Sequence, residues 1–179
     1  MIEIPKRLRT RPRDRRGYPV PFSVYIDRTG RPQFTITDPV RLRACIGKRL
    51  CGLCGGRIDA GYWFVGGERC FTHELGAFID PPMHEECARY AIRVCPFLAA
   101  PSYAKRIDDR LMPAPIGGEV LVKDNTMADE RPAVFGLGMT AGYTLVRPSP
   151  LQTYFRADGW AVQERWRHGE QLTEGEDRT

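Results

Sequence analysis

Phe22, Val24 and Ile26 recur at every second position, the period of a half-buried strand whose successive side chains leave opposite faces. The turn residues Asp27-Arg28-Thr29-Gly30-Arg31-Pro32 follow, and Gln33-Phe34-Thr35-Ile36-Thr37 alternates again, so the pattern predicts a hairpin. Asp38-Pro39 reads as a helix N-cap followed by proline at the first helical position, where the missing N–H is not needed. That helix is expected to run to about Arg49, with Val40, Ala44 and Cys45 inward and Arg41, Arg43, Lys48 and Arg49 toward water. Arg57 to Gly67 reads as a second hairpin, with Tyr62, Trp63, Phe64 and Val65 as its apolar strand. Pro81-Pro82-Met83-His84 then launches a helix from His84 to about Val94, with Glu85 and Glu86 favourably placed at the positive end of its dipole.

The pattern weakens further along. A short helix is expected around Tyr103 to Leu111, and strands over Gly118 to Lys123, Ala133 to Phe135 and Gly142 to Val146. Between Thr153 and Trp166, Asp158-Gly159 joins two runs that carry apolar residues, the signature of a hairpin with a type I′ turn. Residues 1–16 have no periodicity that would bury a face and read as an extended, flexible arm; the polar, acidic residues 169–179 read as a flexible tail. The predicted fold class is α+β: one domain of small antiparallel sheets, comprising a hairpin and helix over 17–50, a metal-held unit over 51–98 and a C-terminal part over 99–168.

Composition sharpens this picture. The 179 residues are 42% hydrophobic and 10% aromatic, with 18 glycines and 15 prolines, which suits one core with many turns and excludes a long helical bundle. The N-terminus lacks a signal-peptide pattern and no run approaches the roughly 20 apolar residues needed to span a bilayer, so a soluble, cytoplasmic protein without membrane contact is expected. In that compartment the six cysteines read as ligands and core thiols, not as three disulfides. The net charge of +5 hides an asymmetry, because residues 1–57 carry fourteen Lys or Arg against four acids. Lys6, Arg7, Arg9, Arg11, Arg13, Arg15 and Arg16 crowd the first sixteen positions, a charge density that concentrates polyanions such as DNA or RNA.

Cys51-x2-Cys54, Cys70-x2-His73 and His84-x2-Cys87 have the spacing at which one turn of backbone presents two ligands to a single zinc ion. Two quartets compete. Cys51, Cys54, His84 and Cys87 would enclose a hairpin and end on a helix's opening turn, the treble-clef order; Cys51, Cys54, Cys70 and His73 would form a zinc ribbon. The first is preferred because a proline-started helix sets His84 and Cys87 one turn apart. Three thiolates and one imidazole close the coordination sphere, so the expected Zn2+ is structural. Cys45 and Cys95 read as core thiols. Cys70 and His73 read either as a buried thiol and a surface imidazole or as a catalytic pair, in which Arg69 and the imidazole would lower the thiol's pKa.

Treble clefs also host HNH nucleases, which place an asparagine and a second histidine around a hydrolytic metal. This chain's single asparagine, Asn125, lies far outside the motif. Ser23, Ser102 and Ser149 form no nucleophile-elbow pattern. The segments Pro12-Arg13-Asp14-Arg15-Arg16-Gly17-Tyr18-Pro19-Val20-Pro21-Phe22, Cys51-Gly52-Leu53-Cys54-Gly55, Pro81-Pro82-Met83-His84-Glu85-Glu86-Cys87-Ala88 and Cys95-Pro96-Phe97-Leu98 together resemble an uncharacterised family of small bacterial and phage-encoded zinc-site proteins. That family often has tryptophan where this chain has Gly52. The resemblance implies that Cys51, Cys54, His84 and Cys87 act as a unit, and implies no activity. Three functions are therefore expected in descending order: a zinc-stabilised nucleic-acid-binding protein using the basic arm, an enzyme using Cys70 and His73, and an adaptor presenting Tyr154, Trp160 and Trp166 to a protein partner.

Overall fold

In the computed structural model, which describes residues 2–100, 131–149 and 152–173, strand β1 (Val24–Ile26) pairs antiparallel with β2 (Pro32–Thr37). The Asp27 carboxylate fastens their turn, accepting from the Thr29 and Arg31 N–H groups, the Thr29 hydroxyl and the Gln33 amide. Helix α1 (Pro39–Lys48) is capped by Asp38, which accepts from the N–H groups of Val40 and Arg41 at 2.9 and 3.1 Å. It stops at Arg49 in the left-handed conformation, φ 55°. Cys45 is buried as expected, but Val40 is exposed: it sits beside the cap, on the turn that faces away from the body.

The main sheet is assembled from distant parts of the chain. Strand β3 (Tyr62–Gly67) pairs antiparallel with β4 (Phe135–Thr140), β4 with β7 (Val162–Arg167), and β7 with β8 (Glu170–Gln171). The expected hairpin over 57–67 is therefore corrected. Arg57 instead bridges Leu50, and Trp63 bridges Met83. Strands β5 (Tyr143–Ser149) and β6 (Gln152–Ala157) form a separate hairpin, which corrects the reading of residues 153–166. Asp158-Gly159 carries the chain from one sheet to the other, and the Asp158 N–H donates back to the Gly142 carbonyl at 3.0 Å.

Alternation along β3 and β4 builds a core on each face. On one face Trp63, Phe135, Leu137 and Trp166 meet helix α3 (Glu85–Val94) through Cys87, Ala88, Tyr90 and Ile92, whose spacing of three and four residues forms one helical stripe. Arg89 ties the outer side of α3 to β7, reaching both Glu164 carboxylate oxygens at 2.7 and 3.0 Å while lying over the Trp63 ring. On the other face Phe64, Phe78 and Phe155 pack with Phe71, Tyr143 and Trp160. Phe71 rides on the one-turn helix α2 (Arg69–Thr72), and its ring lies where a Cβ on Gly136 would be, 2.3 Å away. Gly138 likewise admits Phe71 and Trp160 at 2.7 and 2.8 Å. Helix α4 (Pro96–Ala99) follows α3 directly.

Residues 2–16 are folded onto this body. A single 3₁₀ turn, Lys6–Leu8, seats Leu8 at 0% exposure in the α3 cluster, where Ile2 and Ile4 also pack. Arg13 pairs with Pro19, and the Val20 N–H donates to the Pro12 carbonyl at 2.8 Å. An extended arm was expected because basic residues outnumber apolar ones there; three apolar side chains suffice to anchor it. The flexible tail expected over 169–179 is corrected at its start, where Glu170–Gln171 form β8 against β7 and the Leu172 N–H donates to the Arg165 carbonyl at 2.8 Å; residues 174–179, the helix expected over 103–111 and the strand over 118–123 lie outside the described residues. Among the described residues no helix is long and apolar enough to cross a membrane.

Candidate metal centre

The loop Cys51-Gly52-Leu53-Cys54-Gly55-Gly56 turns tightly between α1 and β3. The Gly55 N–H donates to the Cys51 carbonyl and the Cys51 N–H to the Gly56 carbonyl, both at 2.8 Å. Gly55 has φ 79°, and a Cβ on it would lie 2.7 Å from the Phe22 ring, so this position excludes a side chain twice over. The Phe22 and Ser23 N–H groups donate to the Leu53 and Gly52 carbonyls, pinning the proline-rich entry segment to the loop. Gly52 donates to the Pro82 carbonyl, and a Cβ there would press on Pro81 at 3.1 Å. The loop is thereby held against the residues that launch α3.

His84 stands at the N-cap of α3 and Cys87 in its first turn. The ligand atoms of Cys51, Cys54, His84 and Cys87 all lie within 4.8 Å of one another, with Cys54 Sγ 3.3 Å from His84 Nδ1. His84 Nε2 is 2.9 Å from the Arg57 carbonyl. A carbonyl can only accept, so Nε2 carries the proton and Nδ1 is left bare toward the sulfurs, the arrangement that orients a histidine ligand. Backbone N–H groups of Cys54 and Gly56 point at the Cys51 and Cys54 sulfurs at 3.4 and 3.3 Å, as they do toward thiolates.

Electrostatics agrees with this donor set. Burial opposes ionisation of Cys51, but hydrogen bonds from the Cys54 and Cys87 thiols outweigh it and bring that thiol far down. Hydrogen bonding to Cys51 pushes Cys54 and Cys87 up, and the same partner raises His84. Three thiols this close ionise once unaided; ionising all of them requires a cation between them. The four residues can hold a metal ion, and three thiolates around a divalent ion leave one negative charge. Arg7 and Arg11 are on hand for it. A Cβ on Gly56 would lie 3.4 Å from Cys54 Sγ and 3.9 Å from Arg7 Nη1, and the Arg11 guanidinium is attracted electrostatically to Cys54. The sequence held no local sign of these arginines, because Arg7 is drawn to the site by its bond at 2.8 Å to Glu86, 79 positions further along the chain.

Cys70 and His73 do not join the cluster. Cys70 packs against the aromatic core, where burial raises its thiol pKa, opposite to the lowering expected from Arg69 and His73. His73 is exposed, and its Nδ1 accepts from the Leu75 N–H at 3.1 Å. Cys45, buried above the site, is pushed up to about 12 by burial; Cys95 is also raised by burial. Trp166 and Trp160 belong to the two cores, and Tyr154 is half-buried. The basic residues of the N-terminal segment are exposed apart from the half-buried Arg11. Arg7 pairs with Glu86, Arg9 with Glu3 and Arg16 with Asp14, while Arg13 donates to the Arg9 carbonyl. Lys6 and Arg15 make no side-chain bond among the described residues.

A scan against models of protein families found no match, and searches of the curated proteins and of the solved structures found none either.

Proposed function

We propose that the chain is a zinc-stabilised nucleic-acid-binding protein whose basic N-terminal segment contacts phosphates without reading sequence. The gathering of Cys51, Cys54, His84 and Cys87 within 4.8 Å carries the metal half of this reading. Three soft thiolates and one imidazole suit zinc, and they fill its tetrahedron, which leaves no position for a reacting water. Loop-borne cysteines followed by ligands on a helix start also fit a treble-clef unit, with the strand β3 between them. The metal is then structural and the function is binding. The nucleic-acid half is supported by the six exposed cations of the segment and its seat against the body, which fixes their spacing. The exposed ion pairs of Arg7 with Glu86 and Arg9 with Glu3 contribute only about 0–1 kcal/mol each and yield to phosphate.

Because Leu8 is part of the core, deleting the segment would damage the fold and confuse the test. The informative variant neutralises Lys6, Arg9, Arg13 and Arg15 together to glutamine. Fluorescence anisotropy of labelled DNA over a salt series should show steeply salt-dependent binding to the zinc-loaded protein, with a shallower slope for the variant. Absence of binding at low salt, or a slope that the variant leaves unchanged, defeats the proposal.

A further inference from the structure

The turn at residues 13–19 is a built feature. Arg13 pairs with Pro19, the Asp14 N–H donates to the Tyr18 carbonyl at 2.9 Å, and the Gly17 N–H donates to the Asp14 carbonyl at 2.9 Å. The Asp14 carboxylate accepts from the backbone N–H groups of Arg16 and Tyr18 and from the Arg16 guanidinium at 2.8 Å. The Arg16 guanidinium carbon is thereby held near two rings at once, 5.4 Å from the Tyr18 centroid and 5.6 Å from that of Phe34 on β2. Tyr18 and Phe34 are the exposed large aromatics among the described residues, at 36% and 46%. Arg13 and Arg15 are exposed on the same turn. Every other phenylalanine and tryptophan of the described residues is at least partly buried, so these two rings stand apart.

We infer that Tyr18, Arg16 and Phe34 form a stacking platform for unpaired bases, so that the ligand class is single-stranded nucleic acid. This rests on the nucleic-acid reading above and narrows it. Stacked bases bury themselves in a duplex and present only edges; a base released from a strand offers its face to a ring or a guanidinium plane. Rings interleaved with guanidinium groups, and further cations beside them for the backbone, match that chemistry and carry the complementary charge. A protein partner without acidic groups would leave the clustered cations without counterparts, and duplex DNA would leave the rings unused.

The test uses the full-length, zinc-loaded protein with a labelled 20-nucleotide oligothymidine and a labelled mixed-sequence duplex of the same length. Tyr18→Ala/Phe34→Ala should weaken single-strand binding by about ten- to a hundredfold, with the salt slope and duplex binding unchanged. Tyr18→Phe/Phe34→Tyr, which keeps both rings, should bind as the parent does and serves as the control for folding. If the alanine variant binds the single strand as tightly as the parent, or if the parent prefers the duplex, the platform is refuted while the phosphate-binding reading stands. If the parent binds neither, both fall.

Discussion

Leu8 is fully buried in the cluster that also holds Cys51, Ile58 and Tyr90, so its truncation to alanine should destabilise the metal-loaded protein by about 2–5 kcal/mol. Urea unfolding would read this as a lower midpoint with an unchanged slope. A surface arm would show no such loss. Asp27 sets a different test. Its carboxyl sits at about 2, against the ordinary 3.8, first because the Thr29 hydroxyl donates to it and then because of the Arg31 N–H, with burial opposing. A depressed carboxylate contributes its stabilisation in full above the unfolded value and loses it as pH falls toward the folded one. Asp27→Asn should therefore be less stable than the parent at neutral pH, with the difference closing between pH 3.8 and about 2. Thermal melts at pH 6, 3 and 2 would show whether it does.

At the level of elements, β4 depends on glycine. Gly136→Ala would put a Cβ into the Phe71 ring, and overpacking of this kind should cost about 1–3 kcal/mol while leaving one metal bound per chain, measured by melting and by metal analysis. The same glycines explain why this strand was only partly legible. Phe135, Leu137 and Met139 carry the two-residue period, but glycine between them reads as a turn former until the rings that need its place are known. The elements set by local chemistry were readable: the Asp27 turn, the Asp38-Pro39 cap and the proline-launched helix above His84. Those set by distant partners were not. Asp158-Gly159 has the composition of a tight hairpin, yet β6 and β7 find better partners in β5 and β4. Cys51, Cys54, His84 and Cys87 could be picked from competing quartets because each pair is local, while the anchoring of residues 2–16 by Leu8 left no periodic trace.

For the molecule as a whole, the metal site and the larger core are one structure, since Cys51 and Cys87 belong to the cluster that contains Trp63, Leu137 and Trp166. On the zinc reading, the ion contributes on the order of 10 kcal/mol to folding. Cys87→Ser, or a strong chelator, should abolish stoichiometric metal and shift tryptophan emission to the red as Trp63 and Trp166 meet water. Retention of the native emission spectrum after complete metal removal would contradict this. The seat of Leu8 carries a consequence for synthesis. The cluster that Leu8 joins also contains Phe135 and Trp166, so Leu8 is synthesised long before the core that receives it can be completed. The four ligands emerge well before β4 and β7, and contacts of such long range form slowly. A metal ion captured early would hold the loop and α3 together during that interval, which would make the supply of that metal at translation a determinant of yield.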